Sequence, residues 1–458
     1  MNVADLGPVR TEDGLDEKVP DEMDVKEDPE LQSSPSSKSS ANVDEFPDGG
    51  FRSWAVVLGA FWTFFATVGY LSSWGVFQVY YQQVKLPHSS PSQIAWIGSV
   101  ARCIVFLPGV FVGRLVDVGV FRATFALGSL LIIVGTFLIP VCTLFWHFLL
   151  CQGFMIGLGC GLTYGPCITV VTHWWKRKRG LALGVASSGS AVGGIFFPVV
   201  LRNILPKLGF IWTLRIVGFI LVFAFSIANL CLARRLPPRK AAGGFFGLRV
   251  FRNAAFAVYA LSCFFTLFGA FNAGAYLTSS AVSYGLSSNT AFYFVAMHNG
   301  SSFFGAVVFG ILSDRLGPMN VLIPTITAIG VITIVWPFCG TVPSLSIISV
   351  LYGITLAAFG SLSLLPIAAM GGTEDLGRRM GIMNTVFGIG TLCGAPLGGL
   401  LVSTSLGYKA VGYFSGEFMP HYLHNGWFDS FLGGMIFLGS ILLALARYLA
   451  VARVRAKF

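Results

Sequence analysis

The chain has 458 residues, of which 55% are hydrophobic and only 11% are charged, and its mean hydropathy is +0.75. Because a soluble protein carries about a quarter charged residues, this composition excludes an ordinary soluble domain. The formal net charge of +10 does not indicate nucleic-acid binding, since 14 of the 20 acidic residues precede Phe51 and most basic residues lie in loops between apolar stretches.

Residues 1–48 are rich in Asp, Glu, Ser and Pro and contain almost no aromatic residues. Such a segment cannot bury enough apolar surface to offset the entropy that ordering would cost. It also lacks the apolar region of a signal peptide. We therefore expect a disordered, acidic, cytosolic tail.

Twelve apolar segments follow, each close to the roughly 20 residues that cross about 30 Å of hydrocarbon as a helix. They are residues 54–80, 94–112, 123–141, 145–171, 180–201, 211–233, 254–279, 290–312, 321–339, 345–370, 381–403 and 431–450. Residues 113–117 and 310–314 have the similar sequences GRLVD and GILSD in matching loops, and other residues recur at a similar offset: Pro166 and Pro366, Arg179 and Arg379, Gly194 and Gly394.

This repetition predicts an all-α membrane protein with 12 transmembrane helices in two pseudo-symmetric six-helix bundles. The N-terminal half comprises residues 49–233 and the C-terminal half residues 254–450. A cytosolic linker, 234–253, joins the halves, and a cytosolic tail, 451–458, ends the chain.

Lys and Arg predict the orientation, because cytosolic loops of membrane proteins carry an excess of both. With the N-terminus inside, the inner loops and the C-terminal tail hold 19 basic residues, and the outer loops hold four. Both termini are therefore predicted to be cytosolic, in a multi-pass protein of the plasma membrane.

Glycines recur every fourth residue in several predicted helices. Residues four apart share one helix face, where glycine allows close approach of another helix. The stripes fit static packing and helices that rock against each other equally well. They occur in segments four, five and eleven, as Gly153, Gly157, Gly161 and Gly165; Gly180 and Gly184; and Gly390, Gly394 and Gly398.

Several motifs, in order along the chain, resemble those of the monocarboxylate transporter family of the major facilitator superfamily, in particular its fungal branch. They are DGGF at residues 48–51 with Trp54, GVFQ at 75–78, AWIGS at 95–99, WWKRKRGLALG at 174–184, and SGS at 188–190 with Gly193 and Gly194. The resemblance implies the major facilitator fold and a proton- or gradient-coupled carrier of small organic acids or related metabolites that works by alternating access. Fungal relatives are implicated in riboflavin uptake and in export of secondary metabolites.

Two positions depart from the family pattern. Well-known members carry an aspartate and an arginine in the eighth segment, where Ser302 and Ala306 stand here. The side chains that family members use for carboxylate-based proton coupling and for anion binding are therefore absent from these two positions.

Ionisable and polar residues within the predicted helices are the candidates for substrate contact, because a charge in hydrocarbon is costly. Arg102 lies mid-segment and has donors that fit a carboxylate; a structural bond to helix carbonyls is the alternative. His298 could carry a proton in place of the missing carboxylate or bond a neighbouring helix. The weaker candidates are Asn272, Asn299, Tyr164 and Gln78, together with Gln152 and Trp74.

Two loop carboxylates are predicted to act as a gate rather than to bind substrate. Asp117 and Asp314 can accept hydrogen bonds from the amides that open the next helix and can pair with Arg122 and Arg315. They would stabilise the outward-open state.

Taken together, these residues predict a secondary active transporter of a small organic acid or secondary metabolite, with efflux favoured. Proton-coupled uptake of a monocarboxylate or riboflavin-like nutrient and a non-transporting membrane sensor are the alternatives. The expected partners are the substrate, the lipid bilayer and, under the coupled alternative, protons. No phosphate-binding loop, nucleophile motif or metal-ligand spacing occurs, so we expect no enzymatic activity, cofactor or metal.

Overall fold

The computed structural model describes residues 47–235, 248–371, 376–402, 404, 407–416 and 434–453, and the regular elements within these ranges are helices. The predicted acidic tail therefore lies almost wholly outside the described residues, as do most of the linker and the last five residues. Each of the twelve predicted segments coincides with a helix, numbered here α1 to α12.

The first four helices contain irregular turns. Helix α1 consists of Phe51–Phe64, a π-helical turn Phe65–Gly69, Trp74–Tyr80 and a second π-helical turn Tyr81–Lys85. Helix α2 comprises Pro91–Phe106 and Gly109–Val118, and α3 comprises Phe121–Leu138 with the 3-10 turn Ile139–Val141. Helix α4 comprises Phe145–Phe148, the π-helical turn Leu149–Met155 and Ile156–Trp174.

Helices α5 and α6 lie within Arg179–Cys231 and meet at a kink at Gly209, whose φ of 71° and ψ of 174° are not helical. We had expected a loop at residues 202–210, and this expectation was wrong. Residues 202–208 continue α5, and the direction changes at Gly209 because glycine readily adopts the positive φ found there.

The remaining helices are longer than the predicted segments or close to them. A 3-10 turn, Leu248–Arg252, precedes α7 (Ala254–Ser283), and α8 is Ser288–Leu316. Helix α9 is Pro318–Val335 with the turn Trp336–Phe338, and α10 is Val342–Leu362 with the short helix Leu365–Ala369. Helix α11 is Leu376–Val402, the short helix Tyr408–Gly416 follows, and α12 is Met435–Arg453.

The twelve helices pack as two groups of six. In the first group α1 packs on α5, and α2 and α3 pack on α4; in the second α7 packs on α12, and α8 packs on α10. The main contacts between the groups are α2 with α11 and α5 with α8. These two pairs occupy equivalent places in the two halves, as the internal repeat predicts.

Hydroxyl groups inside the bundle bond to the helix backbone, because hydrocarbon offers them no other partner. Thr63 donates to the carbonyl of Gly59 at 2.8 Å, and Thr136 donates to Ile132 at 2.8 Å. The same pattern in the second half includes Thr333, which donates to Ile329 at 2.7 Å. Polar side chains that do not follow this pattern are the ones with candidate functional roles.

Candidate functional site

Aromatic rings from both halves meet in the middle of the bundle and form what we call the aromatic layer, Phe64, Phe106, Tyr164, Phe359 and Phe387. Successive ring centroids lie 5.3, 5.4, 6.2 and 6.3 Å apart in the order Phe64, Tyr164, Phe106, Phe387 and Phe359. Most of these rings are buried, and the contact between Phe106 and Phe387 joins the two halves at this level.

Arg102 lies four residues before Phe106 on α2, about 6 Å nearer the predicted outer face. Its side chain is exposed although it lies within a membrane-spanning helix. It lines a narrow cleft within the N-terminal half, between α1, α2 and α4, together with Tyr70, Trp74 and Gln152. Among the described residues it has no hydrogen-bond or ion-pair partner.

The indole of Trp74 forms one wall of this cleft and is held in place by two neighbours. Its Nε1 donates to Oε1 of Gln78 at 2.9 Å. The ring lies directly against Gly98 of α2, where any Cβ atom would overlap it. Gln78, predicted to contact substrate, thus positions the indole with its carbonyl oxygen.

The three π-helical turns of the described residues lie in α1 and α4, on either side of the cleft. Gln152 belongs to one of them and accepts a hydrogen bond from the Tyr81 hydroxyl at 2.7 Å. Tyr70 directly follows another. A π-helical turn changes which side chains face the interior and is frequent at functional sites, a feature that no residue pattern in the sequence indicated.

The candidate residues of the second half have different surroundings. Asn299 donates through Nδ2 to the carbonyl of Gly194 at 3.2 Å and therefore links α8 to α5. The His298 ring lies 5.5 Å from the Tyr352 ring at the contact of α8 with α10, and its buried Nδ1 has no hydrogen-bond partner among the described residues. The side chain of Asn272 lies outside what the structure describes. Tyr164 belongs to the closed aromatic layer rather than to the cleft.

Each gate carboxylate binds the N-terminus of a helix from the other half. Asp117 accepts from the amides of Gly377 and Arg378 at 3.0 and 2.8 Å, at the start of α11. Asp314 accepts from the amides of Gly180 and Leu181 at 2.7 and 2.9 Å, at the start of α5.

We had expected bonds to the next helix in sequence, and this was wrong. The contacts between the two halves bring the start of a helix from the opposite half nearer to each carboxylate. Neither Arg122 nor Arg315 pairs with these carboxylates among the described residues, and both arginines are exposed. Arg234 instead donates to the backbone carbonyl of Asp117 at 3.1 Å.

Glycine pairs bring the two halves into backbone contact beside these carboxylates. A Cβ atom on Gly381 would overlap the carbonyl of Gly109, and one on Gly184 would overlap the carbonyl of Ala306. Gly180 and Gly310 face each other in the same way. The glycine stripes at this end therefore form a seam between the halves, whereas other stripes pack within one half.

Comparison with known proteins identifies the family. A family model described as Major Facilitator Superfamily matches residues 57–370 and 300–419. The chain belongs to the major facilitator superfamily. It is a membrane transporter that crosses the bilayer several times, and the closer resemblance to monocarboxylate transporters stays a prediction.

Relatives of this facilitator occur in several fungi. The aspyridones efflux protein of Emericella nidulans is 36% identical over 380 residues, which cover 82% of this chain and 77% of that protein. An MFS-type transporter of Gibberella moniliformis is 33% identical over 375 residues (81% and 88%), and an MFS transporter of Aspergillus flavus is 32% identical over 393 residues (85% and 89%).

The crystal structure of the E. coli fucose:proton symporter is similar to this chain with a TM-score of 0.60 and 16% identity. The similarity covers 88% of this chain and 98% of the symporter. At this level of identity the comparison establishes the facilitator fold and does not extend to the substrate.

The two departures from the monocarboxylate pattern have a structural context in this facilitator. Ala306 is buried, and its backbone carbonyl lies against Gly184 in the seam between α8 and α5. The Ser302 hydroxyl donates to the carbonyl of His298 at 2.7 Å. At these positions Ala306 therefore takes part in helix packing, and Ser302 forms a hydrogen bond to the backbone.

The described residues contain no group of three or more His, Cys, Asp or Glu that could hold a metal ion. Arg102 is an exposed charged residue that lines the cleft between α1, α2 and α4, and the aromatic rings beside it provide an apolar surface. This arrangement can bind an anionic group through the guanidinium and an apolar or aromatic group against the indole.

Proposed function

We propose that this protein exports an acidic, partly aromatic secondary metabolite across the plasma membrane, and that Arg102 binds the anionic group. The observation that carries this proposal is an exposed guanidinium in mid-membrane, without a partner among the described residues and beside an aromatic wall. The name of the relative from Emericella nidulans, an aspyridones efflux protein, supports export.

Alternating access follows from the closed end of the molecule. The aromatic layer, the glycine seam and the two carboxylate contacts all lie between Arg102 and the end that the basic residues assign to the cytosol. We interpret this arrangement as the outward-facing state, with both termini in the cytosol. Release of the carboxylates from the amides of α5 and α11 would then allow the cytosolic side to open.

Proton coupling through His298 is the second candidate, and it would fit uptake of a monocarboxylate or riboflavin-like nutrient. It is favoured by the buried Nδ1 atom, which has no hydrogen-bond partner among the described residues. Imidazole titrates near neutral pH more readily than other side chains, so a proton taken up there could be coupled to movement of α8 against α10.

The anion site can be tested with 1-naphthoate, an aromatic carboxylate, and 1-naphthalenemethanol, its neutral counterpart. We expect purified protein in nanodiscs to bind naphthoate more tightly than the alcohol in equilibrium dialysis. Because a hydrogen bond to a charged group contributes about 1.5–3 kcal/mol, Arg102→Gln should weaken naphthoate binding about 10- to 100-fold. It should leave binding of the alcohol almost unchanged.

Arg215→Gln is the matched control, because Arg215 is exposed on α6 and its guanidinium lies 4.8 Å from the Trp212 ring, away from the cleft. It should bind naphthoate as the unaltered protein does. Equal binding by the Arg102 and Arg215 variants would exclude Arg102 from the site. If the unaltered protein does not bind naphthoate saturably, the proposed substrate class is wrong.

The direction of transport has to be measured in cells. Yeast that express the protein and are loaded with naphthoate should release it into the medium faster than yeast that express Arg102→Gln. Net accumulation inside the expressing cells would favour uptake instead.

A further inference from the structure

Asp48, directly before α1, binds the turn that connects α4 to α5. Its Oδ1 atom accepts hydrogen bonds from the backbone amides of Lys176, Arg177 and Lys178 at 2.7, 2.8 and 3.4 Å. Its backbone has a φ of 42°, an uncommon conformation for a residue other than glycine. Three amides around one carboxylate oxygen hold the turn in a single conformation.

The same turn leads into the helix that the gate carboxylate of the other half binds. Asp314 of α8 accepts from the amides of Gly180 and Leu181, two and three residues beyond Lys178. The first bond within the helix runs from the amide of Ala182 to the carbonyl of Lys178 at 3.1 Å. Two carboxylates, one from each half, thus bind the amides that the start of α5 leaves without helical partners.

Further contacts fix the turn to the N-terminal half. The rings of Trp54 and Trp175 lie 5.1 Å apart at 73°, and the indole Nε1 of Trp174 donates to the carbonyl of Ala233 at 2.7 Å. The Arg179 guanidinium donates back to the carbonyl of Thr172 near the end of α4. When the halves separate at this end, Asp48 therefore moves with α5, whereas Asp314 moves away.

We infer that Asp48 is a positioning residue of the gate: it holds the Trp175–Lys178 turn so that the amides of Gly180 and Leu181 point at Asp314, and it thereby stabilises the closed cytosolic end. Hydrogen bonds from helix amides to a carboxylate stabilise the closed state less when the amides are free to rotate away, because ordering those amides costs conformational entropy. Asp48 removes that cost before Asp314 binds. The inference rests on the alternating-access part of the proposed function and does not depend on the substrate.

Hydrogen–deuterium exchange of the full chain in nanodiscs tests this inference without any ligand. Asp48→Asn removes the charge but keeps the size of the side chain, and amides 176–178 should exchange faster. If Asp48 acts on the gate, residues 376–384 of α11 and 109–117 of α2 should also exchange faster. These segments belong to the other contact between the halves, and Asp48 does not touch them. From the effect of losing a helix cap, we expect an increase of about two- to thirtyfold.

Asn253→Ala is the matched control, because Asn253 caps α7 through the amide of Ala255 at 3.2 Å and makes no contact with the gate carboxylates. It should not change exchange in α2 or α11. Asp314→Asn should accelerate exchange at both contacts. Faster exchange confined to residues 176–178 in the Asp48 variant would overturn the inference, since Asp48 would then be a local cap.

Asp48→Glu provides a second variant in case Asp48→Asn is not recovered from membranes. It retains the charge and displaces the carboxylate by one methylene, so exchange in α11 should fall between those of the unaltered protein and Asp314→Asn. Exchange in α11 identical to that of the unaltered protein, with faster exchange at 176–178, would contradict the inference here too. Neither outcome affects the assignment of Arg102, which is tested by naphthoate binding.

Discussion

The candidate polar side chains within the membrane differ in what their polar atoms bind. The donors of Arg102 have no partner among the described residues, whereas Gln78 and Asn299 bond to Trp74 and to the α5 backbone. A charged group within a membrane is tolerated when it faces a water-filled cavity. At the scale of residues, exposure to the cleft therefore distinguishes Arg102, the candidate for anion binding, from the polar side chains that bond to other parts of the protein.

The indole wall can be tested through the glycine beneath it. Gly98→Ala would place a methyl group inside the space that Trp74 occupies, and overpacking of this kind costs about 1–3 kcal/mol. We expect the indole to shift and naphthoate binding to weaken about tenfold, measured by equilibrium dialysis. Gly75→Ala, on the same helix as Trp74 with open space around it, should bind as before; equal weakening in both variants would contradict the role of the wall.

His298 is tested by separating coupled from uncoupled transport. If His298 carries the proton, His298→Gln in proteoliposomes should abolish accumulation of naphthoate driven by a pH gradient and retain exchange without a gradient. His173→Gln is the control, because His173 is also buried with an unbonded Nδ1 but lies near the predicted cytosolic end of α4. Gradient-driven accumulation that survives the His298 change would exclude the proton role.

At the scale of helices, the glycine stripes serve two different contacts. Gly193 packs against Phe65 and Gly69 of α1 within one half, whereas Gly184 packs against Ala306 across the seam. Contacts within a half persist in every state of a rocking carrier, and contacts across the seam exist only when that end is closed. Only the second kind can change the balance between the two states.

A bulkier residue in the seam should therefore favour opening. Gly184→Ala would bring its methyl group onto the carbonyl of Ala306 and destabilise the closed state by about 1–3 kcal/mol. Trypsin applied to the cytosolic side should then cleave after the exposed Lys176 and Arg177 faster than in the unaltered protein, because the start of α5, which follows the turn, loses its contact with Asp314. Gly360→Ala, where no atom lies within 4 Å of the added methyl group, is the control; equal cleavage rates would show that the seam does not hold the gate.

At the scale of the whole molecule, the two carboxylate contacts are equivalent by pseudo-symmetry. Asp117 binds the start of α11 and Asp314 the start of α5, each across the interface. An anion at a helix N-terminus contributes about 0.3–1 kcal/mol when exposed and up to about 2 kcal/mol when partly buried. Two such contacts can together decide which state predominates.

We therefore expect Asp117→Asn and Asp314→Asn each to lengthen the distance between the cytosolic ends of the halves, and the double variant to do so most. Spin labels at Val118 and Leu316, which are both exposed at these ends, would report this distance by double electron–electron resonance. Arg122→Gln offers a matched change of charge at the same face without a contact to either carboxylate. An unchanged distance in the double variant would remove both aspartates from the gate.

The all-helical facilitator fold and the matching positions of the two loop aspartates were predictable from sequence. Hydropathy shows how long each apolar segment is. Because a segment in lipid must form all its backbone hydrogen bonds internally, such a segment is a helix, and the fold class follows. Arg102 stands out for the same reason, as a charge within an apolar segment, and its contact with substrate stays a prediction. The extension of α5 as far as the kink at Gly209 was not predictable, because the position of the kink depends on the backbone angles of a single residue.

Tertiary structure alone decided which groups meet. The sequence placed Asp117 and Asp314 beside the next helix, yet their partners are 260 and 134 residues away in the opposite half. It likewise gave no indication that Asp48 and Asp314 bind the start of one helix or that Gln78 supports an indole. Such contacts depend on how two bundles dock, and docking is determined by the shapes of many side chains together rather than by the pattern within any one helix.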